Sequence, residues 1–294
     1  MKVCLACACR YTTGDWTCPA CGHTPVLRHG YPVFAPELSE SNDGFDAHYF
    51  DNLARLEAGH FWFCARNRLL IWALRRYFPQ ARCFLEVGCG TGFVLSGLRQ
   101  ALPGLSLAGS DIFESGLTHA AQRLPGVRLF QMDARHIPFE QEFDVIGAFD
   151  VLEHIREDEF ALTQMFQAIR PGGGIIVTVP QHRFLWSKLD DYSFHKRRYG
   201  WGNLVAKARR AGFSIVRVTS FVSLLLPAML AARLTKTGHS QKFDPLAELQ
   251  LSPGLNVVFE KIMGVEHMLI AGGVSFPVGG SLLLVARRPE AAEP

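Results

Sequence analysis

Five of the eight cysteines fall within the first 21 residues. Cys4-x2-Cys7 is followed, after ten residues, by Cys18-x2-Cys21. Each CxxC turn presents two thiolates from one knuckle, and two knuckles complete a tetrahedron around a metal ion. Gly22 suits the tight turn after CPAC. The spacing predicts a structural zinc ion on Cys4, Cys7, Cys18 and Cys21. The same four thiolates also suit iron, and Cys9 is a spare able to replace Cys7. So small a unit depends on its metal to fold. Clustered thiols read as ligands in a reducing compartment. MKVCLACACRY also lacks a secretory apolar core, so a cytoplasmic location is expected.

A second stretch with chemical content is LEVGCGTGFVL, residues 85–95. Gly88, Gly90 and Gly92 follow an apolar run and the acidic Glu86. Glycines directly after a strand let the backbone turn into a helix and approach a ligand where a Cβ would intrude. No GxxxxGK[ST] is present, which argues against phosphoryl transfer, and the loop is one residue tighter than the dinucleotide fingerprint. A third group is the histidines of VLEHI and of the long VPQHRFLWSKLDDYSFHKRRYG. An imidazole suits a general base, which makes His154, His182 and His195 candidates. Each has a blander reading as a packing or capping side chain. Glu153 could orient a neighbour or bind a metal, but the sequence offers no clear second ligand. Segment 179–200 mixes Trp186, Asp190, Asp191, Tyr192 and Lys196–Arg198, and reads either as an acceptor-contacting surface or as a solvated loop.

The surrounding elements must place these residues. Strands are expected at Cys83–Val87, Leu105–Ser110, Val127–Met132, Phe143–Phe149, Ile175–Val179, Ser214–Thr219 and Ser281–Arg287. Helices are expected near 93–101, 114–124, 157–170 and 201–211. Such alternation gives an α/β fold with a parallel sheet covered on both faces. Ahead of it, residues 1–30 form the cysteine unit, 31–44 read as a linker, and 45–78 read as helical, ended by Pro79. Segment 31–80 is thus a linker and helical cap, and 81–294 the main domain, with an apolar insertion at 221–280. In that insertion, Leu255, Val258, Phe259, Ile262 and Leu269 are expected on one helical face. Phe221–Lys236 is too short and proline-broken to span a bilayer. It is left with three readings: a core helix, a peripheral membrane contact or pocket closure for a lipid-linked acceptor, or a homodimer face.

The chain of 294 residues carries 30 basic and 27 acidic side chains, so no global field favours nucleic acid. Within 1–30 only Lys2, Arg10 and Arg28 oppose Asp15. The cysteine unit is therefore expected to dock a protein or pack on the main domain, not to bind nucleic acid.

Taken in order, LEVGCGTG, AGSDIF, QMDA, FDVIGAFDVLEHI and RPGGGIIVTVP resemble the motifs of the class I S-adenosylmethionine-dependent methyltransferases over roughly residues 81–220. The resemblance implies a doubly wound, Rossmann-like seven-stranded sheet whose last strand is antiparallel. It implies cofactor contacts from Glu86, Gly88, Gly90, Gly92, Asp111 with Ile112, Asp133 with Ala134, and Phe149. Asp111 would bind the ribose hydroxyls and Asp133 the adenine amino group. HFWFxxRN (His60–Asn67) and the HxRRY-like end of 195–199 resemble a bacterial subset found with surface-polysaccharide or lipid-linked pathways. There Arg66 would pair with the methionine carboxylate, or simply sit on a packed amphipathic helix. The implied reaction is methyl transfer to a small-molecule, sugar or lipid-linked acceptor, with oxygen preferred. Two rivals stay open: a non-methylating enzyme on the same fold, and a zinc-anchored scaffold without turnover.

Overall fold

A computed structural model describes residues 1–39, 47–235 and 250–290. From the N-terminus, β1 (Lys2–Val3) and β2 (Arg10–Tyr11) make a small hairpin. They are followed by β3 (Val26–Arg28), β4 (Tyr31–Val33), and the helices α1 (Pro36–Ser39), α2 (Ala47–Leu56) and α3 (Phe61–Tyr77). Alternation then begins: β5 (Cys83–Val87), α4 (Phe93–Ala101), β6 (Ser106–Asp111), α5 (Glu114–Arg123), β7 (Arg128–Gln131), β8 (Phe143–Phe149), α6 (Asp158–Ala168) and β9 (Ile169–Pro180). The chain continues through α7 (Lys188–Tyr192), α8 (Trp201–Arg210), β10 (Ser214–Phe221), α9 (Leu226–Thr235), α10 (Pro253–Ala271) and β11 (Ser281–Arg287).

The main sheet runs β10-β11-β9-β8-β5-β6-β7-β4-β3 among the described residues. The five strands from β9 to β7 are parallel, and β11 is antiparallel to both neighbours. The seven strands from β10 to β7 have the expected Rossmann-like order, and β4 and β3 extend the sheet to nine. Strand order reverses between β5 and β8, so a crevice opens beyond their carboxyl ends. SLLLVAR shows why the sheet is covered twice. Leu282, Leu284 and Ala286 join a core layer with α6 and α8, whereas Leu283 and Val285 join one with α3, α4 and α5. A strand's side chains alternate faces, so an unbroken apolar run needs two cores.

Three expectations change. Tyr31–Val33, placed in a linker, is strand β4, paired with β3 and, through Val33, with Gln131 of β7. The buried Gln131 side chain accepts from the Ala35 amide at 2.9 Å and donates to the Ala35 and Ile112 carbonyls at 2.8 and 2.9 Å. A long-range bond of this kind has no local pattern. Residues 40–44 of the same segment lie outside the described residues. The helical run expected over 45–78 is two helices broken at Glu57–His60, with residues 45–46 outside the described set. Finally, Phe259 and Ile262 pack inward with Met263, Glu266 and Ile270, but Leu255, Val258 and Leu269 are 40–51% exposed. α10 is apolar on several sides, so periodicity could not choose its buried stripe.

α9 and α10 are both helical, and 236–249 between them, including the end of Phe221–Lys236, lies outside the described residues. No helix among the described residues is long and apolar enough to cross a membrane.

Candidate active site

The glycine loop leaves β5 at the mouth of the crevice. Gly88 has φ +71°, and a Cβ there would lie 2.3 Å from Val151 Cγ2, on the loop after β8. Gly92 caps α4 with φ +74° and has Leu124 at 2.9 Å from the position of a Cβ. Only glycine meets both conditions. The loop closes on Asp111 at the end of β6: Gly90 N donates to Oδ2 at 2.8 Å and Phe113 N to Oδ1 at 2.9 Å. Burial raises the Asp111 carboxyl, opposed by these backbone bonds. Glu86 is buried beneath the loop, and burial raises its carboxyl well above the usual range. Its Oε2 has no partner among the described residues.

α2 and α3 cover this mouth. Thr91 Oγ1 donates to the Glu57 carboxylate at 2.7 Å, and Arg123 donates to the Thr91 carbonyl at 2.9 Å and pairs with Glu57. The Phe50 ring lies 3.5 Å from where a Gly90 Cβ would be. Arg66 is ion-paired with Asp150 and stacked 4.4 Å from the Trp62 ring, while its buried Nε has no partner among the described residues. Asp133 accepts from Arg135 Nε and N, both at 2.9 Å, and Ala134 is buried beside it. Ile112 follows Asp111, its carbonyl taken by Gln131. Phe149 sits in the core with its ring over Gly147.

The histidines separate into two groups. VLEHI leaves β8 through Asp150, at φ +58°, into a short turn over Leu152–His154. HKRRY returns to the same place after β9 and is stapled there residue by residue. His195 Nδ1 is 2.8 Å from Asp190 Oδ1, and Lys196 N donates to the Glu153 carbonyl at 2.7 Å. Arg197 pairs with Asp158 at 2.6 Å, and Arg198 Nε donates to Asp190 Oδ1 at 2.7 Å. The Tyr199 hydroxyl lies 2.6 Å from Asp158 Oδ2, which also receives Lys207. The His154 and His195 rings end 4.8 Å apart and nearly perpendicular. Burial, aided by His195, brings the His154 imidazole down to about 3. Burial pushes the Asp190 carboxyl up, but bonds from His195 and Arg198 hold it well below the usual range. His182 stays apart, at φ +59°, stacked 4.9 Å from the Phe184 ring. Asp150, Asp158 and Glu57 carry no recognisable local motif. Their partners lie 28 to 84 residues away and only the fold supplies them.

The cysteine unit has its own geometry. Cys4, Cys7, Cys18 and Cys21 place their sulfurs within 4.8 Å of one another, with Cys4–Cys21 at 3.7 Å and Cys7–Cys18 at 3.6 Å. Zinc–sulfur bonds of about 2.3 Å put tetrahedral sulfurs about 3.8 Å apart, so the site fits the ion. Ala8 and Gly22, each just after the second cysteine of a knuckle, have φ +57° and +73°. Cys9 points elsewhere, its thiol on the Arg10 carbonyl at 3.6 Å. The unit packs on the main domain: Val3 N donates to Pro138 O, Arg10 pairs with Glu140, and Trp16 meets Phe34, Phe130 and Phe139 edge-on at 4.9–5.9 Å.

Residues 85–175, which span the glycine loop, Asp111 and the Glu153–His154 turn, match the family model described as a methyltransferase domain. Over these residues the central domain is similar to a methyltransferase domain, in keeping with the resemblance of its motifs to the class I S-adenosylmethionine-dependent methyltransferases. The chain is 31% identical over 177 residues to a trans-aconitate 2-methyltransferase of Variovorax paradoxus, covering 58% of this chain and 64% of that protein. It is 26% identical over 163 residues to a probable S-adenosylmethionine-dependent methyltransferase of Mycolicibacterium smegmatis, covering 53% and 60%. The methyltransferase domain thus spans less than two thirds of the length of either relative. Among solved structures it resembles the [4+2]-cyclase SpnF, with a TM-score of 0.53, 21% identity, and 78% and 84% of the two chains covered. That likeness bears on the fold alone.

Proposed function

We propose that this protein is an S-adenosylmethionine-dependent methyltransferase acting on a small-molecule, sugar or lipid-linked acceptor, at oxygen. The observation that carries the reading is the contact between the Cβ-free loop Gly88–Gly92 and the Asp111 carboxylate. A bare backbone bend and a carboxylate one strand over are what an adenosine needs: close approach, and an acceptor for both ribose hydroxyls. Glu86 lies beneath that loop. Asp133, Ala134 and Ile112 flank the expected adenine side. Arg66, paired with Asp150, keeps an unpartnered Nε that suits the methionine carboxylate. Phe149 supports the crevice from the core.

The sulfonium cofactor, when bound, supplies a methyl already activated for displacement. The chain's own work is to align the acceptor oxygen and take its proton; proximity alone supplies much of the rate. Proton handling falls to this corner through His195, oriented by Asp190, since burial leaves His154 a poor proton acceptor, and His182 stands at the edge. The acceptor O–H loses its proton, the O–CH3 bond forms as the C–S bond breaks, and S-adenosylhomocysteine leaves. The four cysteines hold a structural zinc ion, which suits the reducing cytoplasm.

Calorimetry with S-adenosylmethionine and S-adenosylhomocysteine tests the reading. Both should bind, and Asp111→Ala should weaken binding at least about tenfold, about 1.4 kcal/mol. Unchanged affinity would remove the ribose role. Turnover without release of S-adenosylhomocysteine would favour a non-methylating reaction instead.

A further inference from the structure

Glu153 is fully buried, and neither of its carboxylate oxygens has a hydrogen-bond partner among the described residues. Arg66 and Arg198 favour its charged form from nearby, but neither donates a hydrogen bond to it. Arg66 is paired with Asp150, and Arg198 with Asp190. Asp150 adds a further negative charge beside it. A buried carboxylate left so is costly unless something positive reaches it. Beside it stand two imidazoles. Glu153, His154 and His195 each offer one ligand atom, and these atoms lie within 4.8 Å of one another.

We propose that Glu153, His154 and His195 form a binding site for a divalent first-row transition ion, separate from the four-cysteine unit. An ion about 2.1 Å from each donor brings ligand atoms to about 3–3.5 Å from one another, so the cluster closes by small side-chain movements. Two imidazoles and one carboxylate are a donor set suited to zinc, cobalt or iron(II), and leave coordination positions open. Both histidines have the orienting partner that metal-bound imidazoles use. His195 Nδ1 is held by Asp190 at 2.8 Å, and the His154 ring bonds to the Ser193 backbone. The backbone is pinned too, because Lys196 N donates to the Glu153 carbonyl at 2.7 Å and ties the two loops together.

The site stands at the exit of β8, two residues past Val151, which lies against Gly88. Its use there rests on the methyltransferase reading; the binding of the ion does not. An open position takes an acceptor hydroxyl or enol oxygen, and the ion lowers that oxygen's pKa. The proton leaves to solvent, the oxygen attacks the methyl as the C–S bond breaks, and S-adenosylhomocysteine departs. His154 and His195 then serve as ligands instead of bases.

The test titrates cobalt(II) into the full chain already carrying one zinc per chain. Wild type should take up one cobalt with weak d–d absorption and no thiolate-to-cobalt charge-transfer band. Glu153→Gln and His195→Gln should each weaken cobalt at least tenfold while zinc content and circular dichroism stay as in wild type. No cobalt uptake, a thiolate band with loss of zinc, or equal binding by the Glu153→Gln chain would overturn the site. Calorimetry with S-adenosylmethionine on the same samples separates the two ideas. Cofactor binding without cobalt uptake defeats only the metal site, and cobalt uptake without cofactor binding defeats only the methyltransferase reading.

Discussion

At Gly88 two constraints coincide: a left-handed backbone and no room beside Val151. An alanine there takes on about 1–2 kcal/mol of backbone strain and a steric overlap costing about 1–3 kcal/mol more. Gly88→Ala should lower the thermal midpoint and weaken cofactor binding. Adding Val151→Ala should recover part of the stability, the overlap, and leave the strain. A Gly88→Ala midpoint equal to wild type would show that the loop is not held as described. Residues of this kind were readable because their demand is local. Asp111 was readable too, through the resemblance of AGSDIF to the family's motif. Glu57, which holds Thr91 from 34 residues away, was not, because a lone acid on a helix carries no trace of its partner.

Among the elements, α10 is tied to the exit of β10 by one side chain. Glu266, fully buried, accepts from the amides of Val222, Ser223 and Leu224 at 2.6, 2.7 and 2.7 Å, and so caps the sharp exit of β10. Burial raises its carboxyl, and the three amides oppose that rise. Glu266→Ala leaves three donors without their acceptor, at about 1 kcal/mol or more each. Urea unfolding should show a loss of about 3 kcal/mol or more, with Glu266→Gln retaining part of it. A loss below about 1 kcal/mol would mean that α10 is held by its apolar stripe alone. The insertion's helical character was legible, since long apolar runs bounded by polar loops read as helices. Its orientation was not: Phe259 and Ile262 face α3 and the core, and Leu255 and Val258 do not.

Over the whole molecule, the cysteine unit and the methyltransferase domain form one body. Trp16 fills a gap among Phe34, Phe130 and Phe139, and β4 lengthens the sheet beyond β7. Stripping metal from the cysteines, or Cys18→Ser, should open residues 1–28 to protease and hydrogen exchange while the strands β5–β9 stay protected. Trp16→Ala should cost up to about 3 kcal/mol and expose the same segment. Protection of residues 1–28 unchanged by chelation would show that packing on the domain, not metal, holds the unit.

By itself the sequence determined whatever depends on near neighbours. The strand–helix alternation follows from hydrophobic period, the thiolate knuckles from CxxC spacing, and the tight turn from glycines placed where a strand meets a helix. Tertiary structure decided what depends on distant partners. It brought His195 to His154 and left the Glu153 carboxylate buried beside them without a hydrogen-bond partner among the described residues. It turned a supposed linker into β4 through the side chain of Gln131. The physical reason is the same in each case: burial and charge balance are properties of a neighbourhood, and the neighbourhood exists only once segments far apart in the chain have met.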